Sequence, residues 1–277
     1  MVSDPQEQRP VVTRIVRPSV GKEEAEAIGE VLASGFLTQG AAVARFEELL
    51  ARVTGAPYVV AVSSGTAALH LALLALGIGP EDEVITSDFT FPATVNTIEL
   101  VGAKPVLLDI DLVTYNMEAD QLESAITPRT KAVLAVHEFG LMADMETIGQ
   151  VAGRWSLPVI EDAACALGAS QQVRGQPVVA GSAGKVGCFS FHPRKSITTG
   201  EGGCLTTADE ELARCLRALR NHGLESAGGQ VNLTLPGLNY RLTELQAAMG
   251  AVQLKKLDWA LSERRRLAAC YNERLAS

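Results

Sequence analysis

Cationic side chains are what this sequence holds too few of. Its 24 Lys and Arg stand against 32 Asp and Glu, a net charge of -8. That balance excludes a nucleic-acid backbone or an anionic membrane surface as the main partner. The one dense basic cluster, Arg264-Arg265-Arg266, sits beside Glu263 in a helical pattern and reads as a solvated face. Cysteine is scarce as well. The five present (Cys165, Cys188, Cys204, Cys215 and Cys270) form no C-x-x-C pair, so neither a zinc site nor a disulfide framework is expected. In apolar runs a reduced thiol behaves as a small hydrophobe, and only Cys165 is left open to another role. No apolar run is long enough to span a bilayer, and Met1 to Pro10 lacks the apolar core of a signal peptide. A soluble, cytoplasmic protein is the expectation. Internal repeats, low-complexity tracts, the Walker phosphate loop and the dinucleotide glycine fingerprint are likewise absent.

What the chain does have is apolar content, 47% of 277 residues. That suffices for a sizeable core in one large domain or two smaller ones. Residues 1–11 read as a flexible arm. Residues 22–33 and 41–53 have helical apolar spacing, separated by a glycine-punctuated loop from Ser34 to Gly40. From Pro57 onward, short apolar runs alternate with helical segments. Strands are expected at 58–62, 83–87, 105–110, 131–136, 157–160, 185–191 and 204–207. Helices are expected at 66–76, 92–101, 119–125, 144–154 and 209–220, and one long helix at 241–275. Strands that are apolar throughout, each followed by a helix, imply an α/β fold with a mostly parallel sheet covered on both faces. In such sheets ligands bind beyond the carboxyl ends of the strands.

Four stretches place polar groups there. Ser63-Ser64-Gly65-Thr66-Ala67-Ala68-Leu69 turns tightly from strand to helix. The unpaired N–H groups of a helix start suit a phosphate, with Gly65 allowing close approach and Thr66 adding a hydroxyl; a plain Ser/Thr cap is the alternative. Pro158-Val159-Ile160-Glu161-Asp162 ends a strand in two acids. Asp162 is either a helix cap or a carboxylate that faces a cation such as a protonated ring nitrogen. Phe91, in Ser87-Asp88-Phe89-Thr90-Phe91-Pro92, is either ordinary core or a flat platform beneath a planar ring. Ser190 ends a strand, and Lys195 follows on a polar turn before Gly200-Glu201-Gly202-Gly203. That lysine is either solvated or a covalent amine nucleophile. Taken together the four match pyridoxal phosphate, which requires a lysine for its aldehyde, an acid for its pyridinium and donors for its phosphate. His70, on an apolar helix, reads as a core histidine, and His192 and His222 receive no role.

The order and wording of these motifs resemble the nucleotide-sugar aminotransferases of the DegT/StrS group, from about Arg14 to the end of the chain. The resemblance rests on Ser64-Gly65-Thr66-Ala67-Ala68-Leu69, Asp82-Glu83-Val84-Ile85, Thr90-Phe91, Gly102-Ala103-Lys104-Pro105-Val106 and Glu161-Asp162-Ala163-Ala164. It continues through Ser190-Phe191 to Lys195, Gly200-Glu201-Gly202-Gly203, Arg220-Asn221-His222-Gly223 and Gly237-Leu238-Asn239-Tyr240-Arg241-Leu242. It implies the aspartate-aminotransferase-like architecture (PLP fold type I). The large domain would occupy 12–255, after the arm at 1–11, with 256–277 as the start of a truncated C-terminal small domain, since relatives run on further.

By the same resemblance, Lys195 would form the internal aldimine with pyridoxal 5'-phosphate and then shuttle protons. Asp162 would pair with the pyridinium nitrogen, and Phe91 would stack on the ring. Gly65, Thr66 and Ser190 would hold the phosphate. Asn239 would reach the phosphate of a neighbouring subunit's cofactor, which implies a homodimer with shared sites. The implied partners are a nucleotide-linked keto sugar and an amino donor, glutamate. Two positions depart from the family pattern. Cys165 stands where relatives carry Gln or His near the ring hydroxyl. His137-Glu138-Phe139-Gly140-Leu141-Met142 replaces a His-x-Tyr-Gly pattern and bears on substrate choice. A sister branch that dehydrates sugars has histidine at the lysine position, and Lys195 argues against it. The alternative reading is a non-catalytic or regulatory remnant of the fold, left by truncation.

Overall fold

The structure is a computed structural model and describes residues 16–276 except Gly228. The arm expected at 1–11 lies outside the described residues. Two helices come first, α1 (Lys22–Ser34) and α2 (Ala41–Thr54). The chain then alternates as β1 (Tyr58–Val62), α3 (Gly65–Ala75), β2 (Glu83–Ser87), α4 (Pro92–Leu100) and β3 (Lys104–Leu108). After a 3-10 turn at Ala119–Gln121 come α5 (Leu122–Ala125) and β4 (Thr130–Val136). A second 3-10 turn at Glu138–Gly140 leads to α6 (Met145–Arg154) and β5 (Val159–Asp162). A hairpin of β6 (Ser170–Val173) and β7 (Gln176–Val179) precedes β8 (Val186–Ser190), β9 (Gly203–Thr207) and α7 (Glu210–Arg220). A second hairpin, β10 (Leu224–Ala227) with β11 (Gln230–Leu233), is followed by α8 (Glu244–Lys255) and α9 (Leu257–Leu275).

Seven strands form the central sheet in the order β1-β9-β8-β5-β4-β2-β3. The run from β8 to β3 is parallel throughout. Strand β9 is antiparallel to both of its neighbours, β1 and β8. Alternate side chains of each strand enter opposite layers, as the two-residue strand period requires. Val59, Ala61, Val133, Ala135 and Val159 pack with Phe46 and Leu50 of α2, Ile148 of α6 and Ala247 of α8. Val60, Val62, Ala132, Leu134 and Ile160 pack with α3, Ile98 of α4 and Leu216 of α7. The result is a three-layer α/β fold whose sheet is covered on both faces.

The helices and strands expected from pattern are present, with most ends moved by no more than two residues. Four features differ. The two hairpins were not anticipated, and β9 runs against the sheet. Strands β5 and β8 are followed by a hairpin and a loop rather than by helices. The long helix expected over 241–275 starts at Glu244 and breaks at Lys256. At that break Lys256 Nζ meets Glu24 Oε1 at 2.6 Å and Glu23 Oε2 at 3.0 Å, while Gln253 Nε2 donates to the same Glu24 oxygen at 2.8 Å. Burial by itself would push the Glu24 carboxyl up. Hydrogen bonds from Lys256, Gln253 and the Gly21 N–H outweigh it and hold the group at about 2. The break between the last two helices is thus tied to α1 by charge.

Another acid links distant segments in the same way. Glu244, at the start of α8, accepts from the backbone N–H groups of Gly40, Ala42 and Val43 at 2.8, 2.8 and 2.9 Å. It caps α2 from across the fold and fills donors that a helix start leaves open. Among the described residues no helix is long and apolar enough to cross a membrane, and no group of His, Cys, Asp and Glu is arranged to hold a metal ion.

Candidate active site

A cavity of about 460 Å³ opens at the carboxyl edge of the sheet. Residues that follow several strands line it: Gly65 and Thr66 come after the edge strand β1, Thr90 and Phe91 after β2, and His137 and Glu138 after β4. Asp162 and Cys165 come from the end of β5, and Ser190, His192, Arg194 and Lys195 from the end of β8. Glu201 arrives ahead of β9, because a strand running backwards begins at this edge. Of the eight residues singled out from sequence, seven therefore share one cavity: Gly65, Thr66, Phe91, Asp162, Cys165, Ser190 and Lys195. Asn239 does not. It is exposed and bridges to Asn221, outside the cavity of its own chain.

Helix α3 starts with Ser64 as its cap, the Ser64 Oγ accepting from Ala67 N at 3.0 Å. The N–H groups of Gly65 and Thr66 lie ahead of the first intrahelical bond and face the cavity edge without a helical partner. Gly65 is required by packing: a Cβ there would come within 2.7 Å of the Ser190 Cβ. The helix start therefore rests directly on the end of β8. Backbone donors from one element and a hydroxyl from another converge where the helix dipole is positive, a setting that suits a phosphate. Ser64 serves as the cap, and the donors beyond it line the cavity.

Asp162 is only 6% exposed. Its Oδ2 accepts from Thr94 Oγ1 at 2.8 Å and its Oδ1 from Ala164 N at 3.2 Å. Thr94 is itself backed by the Thr90 hydroxyl at 2.8 Å. No helix follows β5, so Asp162 caps none. Burial pushes its carboxyl up; the Thr94 hydroxyl, the Ala164 N–H and the positive charge of Lys195 pull the other way. An ionised carboxylate offers about four acceptor sites, and these two donors leave it short. A protonated ring nitrogen would supply what is missing.

The preceding residue has no such deficit. Glu161 accepts from His137 Nε2 at 2.8 Å, from Gly181 N and Ala183 N at 2.8 Å, and from Gly184 N at 2.6 Å. His137 Nδ1 accepts from Ala143 N at 3.2 Å, which assigns the ring proton to Nε2.

Lys195 is half-buried in the cavity rather than solvated on a loop. Its N–H donates to His192 O at 2.8 Å, and its carbonyl accepts from Arg264 Nη2 of α9 at 3.1 Å. Its Nζ donates to Cys165 Sγ at 3.0 Å. Phe91 is 73% exposed and so is no part of the core; its ring forms one wall. Glu138 is a group that sequence reasoning passed over as a site residue. Burial and the charge of Asp162 push its carboxyl up, against the pull of Lys195. It sits on a tight turn held by Asn116, whose Oδ1 accepts from Glu138 N at 2.9 Å and whose Nδ2 donates to Leu141 O at 3.2 Å. Gly140 in that turn has φ +91, and a Cβ on it would come within 2.9 Å of the Cys165 carbonyl oxygen. Thr94 was also missed. Its signal was the Thr90/Thr94 pair at helical spacing straight after a strand.

Residues 18–277 match the DegT/DnrJ/EryC1/StrS aminotransferase family. The chain belongs to this family. Its relatives include the spore coat polysaccharide biosynthesis protein SpsC of Bacillus subtilis, 46% identical over 263 residues that cover 92% of this chain and 67% of SpsC. GDP-perosamine synthase of Caulobacter vibrioides is 42% identical over 263 residues, 95% of this chain and 70% of that protein. Among solved structures, DesV of S. venezuelae in complex with a ketimine intermediate superposes with a TM-score of 0.85 at 39% identity. That match covers 92% of this chain and 67% of DesV. The chain thus spans about two thirds of the length of these relatives. Enzymes of the family depend on pyridoxal phosphate, and the donor set of the cavity fits that group: a helix start shaped by Gly65, an under-supplied buried acid, and an amine lining the same cavity.

Proposed function

We propose that the chain is a pyridoxal-phosphate-dependent aminotransferase that transfers an amino group, supplied by glutamate, to the keto sugar of a nucleotide-linked sugar. The observation that carries this reading is the convergence of the Lys195 amine, the buried Asp162 carboxylate and the Gly65–Ser190 cradle on one cavity. Pyridoxal phosphate, when bound, supplies the electron sink that lets an amino-bearing carbon release its proton. The Gly65 and Thr66 N–H groups and the Thr66 and Ser190 hydroxyls would bind its phosphate, and Phe91 would cover its ring. Asp162, buried and short of donors, would be held ionised by the charge of the ring nitrogen opposite it and would keep a proton there. Lys195 would hold the aldehyde carbon and, once released from it, take up and return the proton of the reacting carbon. Asn239 would serve the phosphate of a second subunit in a homodimer, in keeping with its exposed position outside its own cavity.

The test needs no knowledge of the sugar. Purified chain mixed with pyridoxal phosphate should gain an absorbance that borohydride discharges, and a peptide map should place the reduced adduct on Lys195. Lys195→Ala should show neither. An unchanged reducible absorbance in that variant would remove the role given to Lys195. With glutamate and a panel of nucleotide-linked keto sugars, the loaded protein should form the amino sugar; failure across the panel with a normal adduct would favour a non-catalytic member of the fold.

A further inference from the structure

The contact between Lys195 Nζ and Cys165 Sγ has a chemistry of its own. Both groups line the cavity, Cys165 is exposed, and they lie 3.0 Å apart. Each is held by its backbone. The Cys165 carbonyl oxygen packs under Gly140, and the Lys195 main chain is tied to His192 O at 2.8 Å and to Arg264 at 3.1 Å. Among the described residues, no other cysteine sulfur is hydrogen-bonded to an amine. Cys188 and Cys204 are buried, and burial pushes both thiols up, away from the reactive thiolate form. Cys215 is half-buried and pushed the same way. Oxidation favours the accessible thiol, and here that thiol has an amine already in place.

We propose that Cys165 is a redox modification site, and that the Lys195 amine captures its oxidised sulfur in a reversible sulfur–nitrogen bond. A peroxide is the oxidant. The Cys165 sulfur gives up an electron pair to hydrogen peroxide, the O–O bond breaks, and the thiol becomes a sulfenic acid with release of one water. The Nζ lone pair then attacks that sulfur and the S–O bond breaks. The departing oxygen leaves as a second water with a proton from the amine, and no further electrons are exchanged. The fixed 3.0 Å approach gives this condensation the advantage of an intramolecular reaction over further oxidation of the sulfur. A thiol reductant reverses it: the attacking sulfur displaces Nζ, which leaves as an amine carrying a proton, and a second thiol resolves the mixed disulfide. While the bond exists, Lys195 has no amine to offer a cofactor. Formation of the bond stands on geometry alone; only its consequence for cofactor uptake rests on the function proposed above.

The experiment uses the full chain without cofactor, treated with hydrogen peroxide and followed by intact mass and peptide mapping. The treated chain should lose two hydrogens, with the Cys165 and Lys195 peptides joined, and dithiothreitol should restore the original mass. Borohydride-fixed pyridoxal phosphate should fall in proportion to the joined fraction and recover with the reductant. Prior loading with pyridoxal phosphate should protect against joining. Cys165→Ser, compared with its own untreated sample, should show no mass loss and no peroxide-dependent change in uptake, and Lys195→Ala should show no joining. Oxygen added at Cys165 with no joined peptides would overturn the proposal, as would an identical loss of uptake in Cys165→Ser. A joined pair in a chain that never takes up cofactor would leave this proposal standing and remove the proposed function instead.

Discussion

Glu161 and Asp162 are consecutive residues of one strand, both buried, and the structure treats them in opposite ways. Glu161 faces the loop between β7 and β8 and accepts from a histidine ring and three backbone N–H groups. Asp162 faces the cavity and accepts from one threonine hydroxyl and one N–H. A buried charge is tolerated when donors fill its acceptor sites. Glu161 meets that condition and serves as a structural knot that gathers the loop at 181–184 against β4 and β5. Asp162 does not, and its unfilled oxygens remain a standing demand for a cation. His137 joins the two environments, its ring bonded to Glu161 at 2.8 Å and its backbone N–H to the Asp162 carbonyl at 3.0 Å. Two buried neighbouring carboxyl groups do not share one role; the number of donors separates them.

Three substitutions can break or sharpen this contrast. The largest effect should come from Asp162→Asn, with turnover lower by roughly a thousandfold, the scale of removing a charge aimed at the reacting group. Its urea unfolding midpoint should stay near that of the parent, since the removed charge was poorly solvated; a collapsed midpoint would mean that Asp162 is structural after all. Glu161→Ala should give the reverse signature. Three backbone donors and a histidine N–H lose their acceptor, which costs about 3 kcal/mol or more of stability, read as a lower urea midpoint, while turnover per folded molecule stays within severalfold. Equal losses of turnover in the two variants would abolish the distinction.

The smallest effect should come from Thr94→Val, which leaves the acid in place and removes its hydroxyl donor. Burial already sets the Asp162 carboxyl above the usual range and Thr94 opposes that, so the variant should raise it further. In the role proposed for it the acid acts ionised, so activity would fall as pH drops and the acid limb of kcat/KM should move to higher pH, by about one unit or less. The stability of the cofactor-free chain carries the opposite sign. An acid whose folded pKa lies above its unfolded value binds more protons in the native state, so stability rises as pH falls through the folded value toward the unfolded one. An acid limb that stays put, or moves down, would show that Thr94 does not tune Asp162.

Much of this was legible in the residues, for reasons that can be named. Strands β1, β2, β4, β5 and β8 announce themselves as apolar runs because both of their faces are covered. Lys195, Asp162, Ser190 and the Ser64-Gly65-Thr66 turn could be singled out because each follows such a run. The direction of β9 could not be read, since an apolar run has no polarity of its own; only its pairing with β1 and β8 supplies one. The break at Lys256 was hidden because no Gly or Pro marks it. It is enforced by Glu23 and Glu24, more than two hundred residues away in sequence. The hairpin of β6 and β7 did contain a turn signal, Arg174-Gly175, between polar runs that gave no apolar alternation to notice. Glu138 and Thr94 were obscured for a related reason: what makes each matter is a neighbour from another strand.

The backward strand also sets a clock. Strand β1 reaches the rest of the sheet through β9, and β9 lies about 140 residues further along the chain, a long loop to close before pairing is rewarded. On a ribosome, therefore, the first strand emerges early and waits for its partner until about 140 further residues have been synthesised. The Gly65–Ser190 meeting cannot occur in any shorter nascent chain, and until it does two strand edges stand open to the wrong neighbours. The carboxyl edge of the sheet is thus complete only once β9 has been made, and a cofactor that gripped that edge would select the chains in which this pairing is in place.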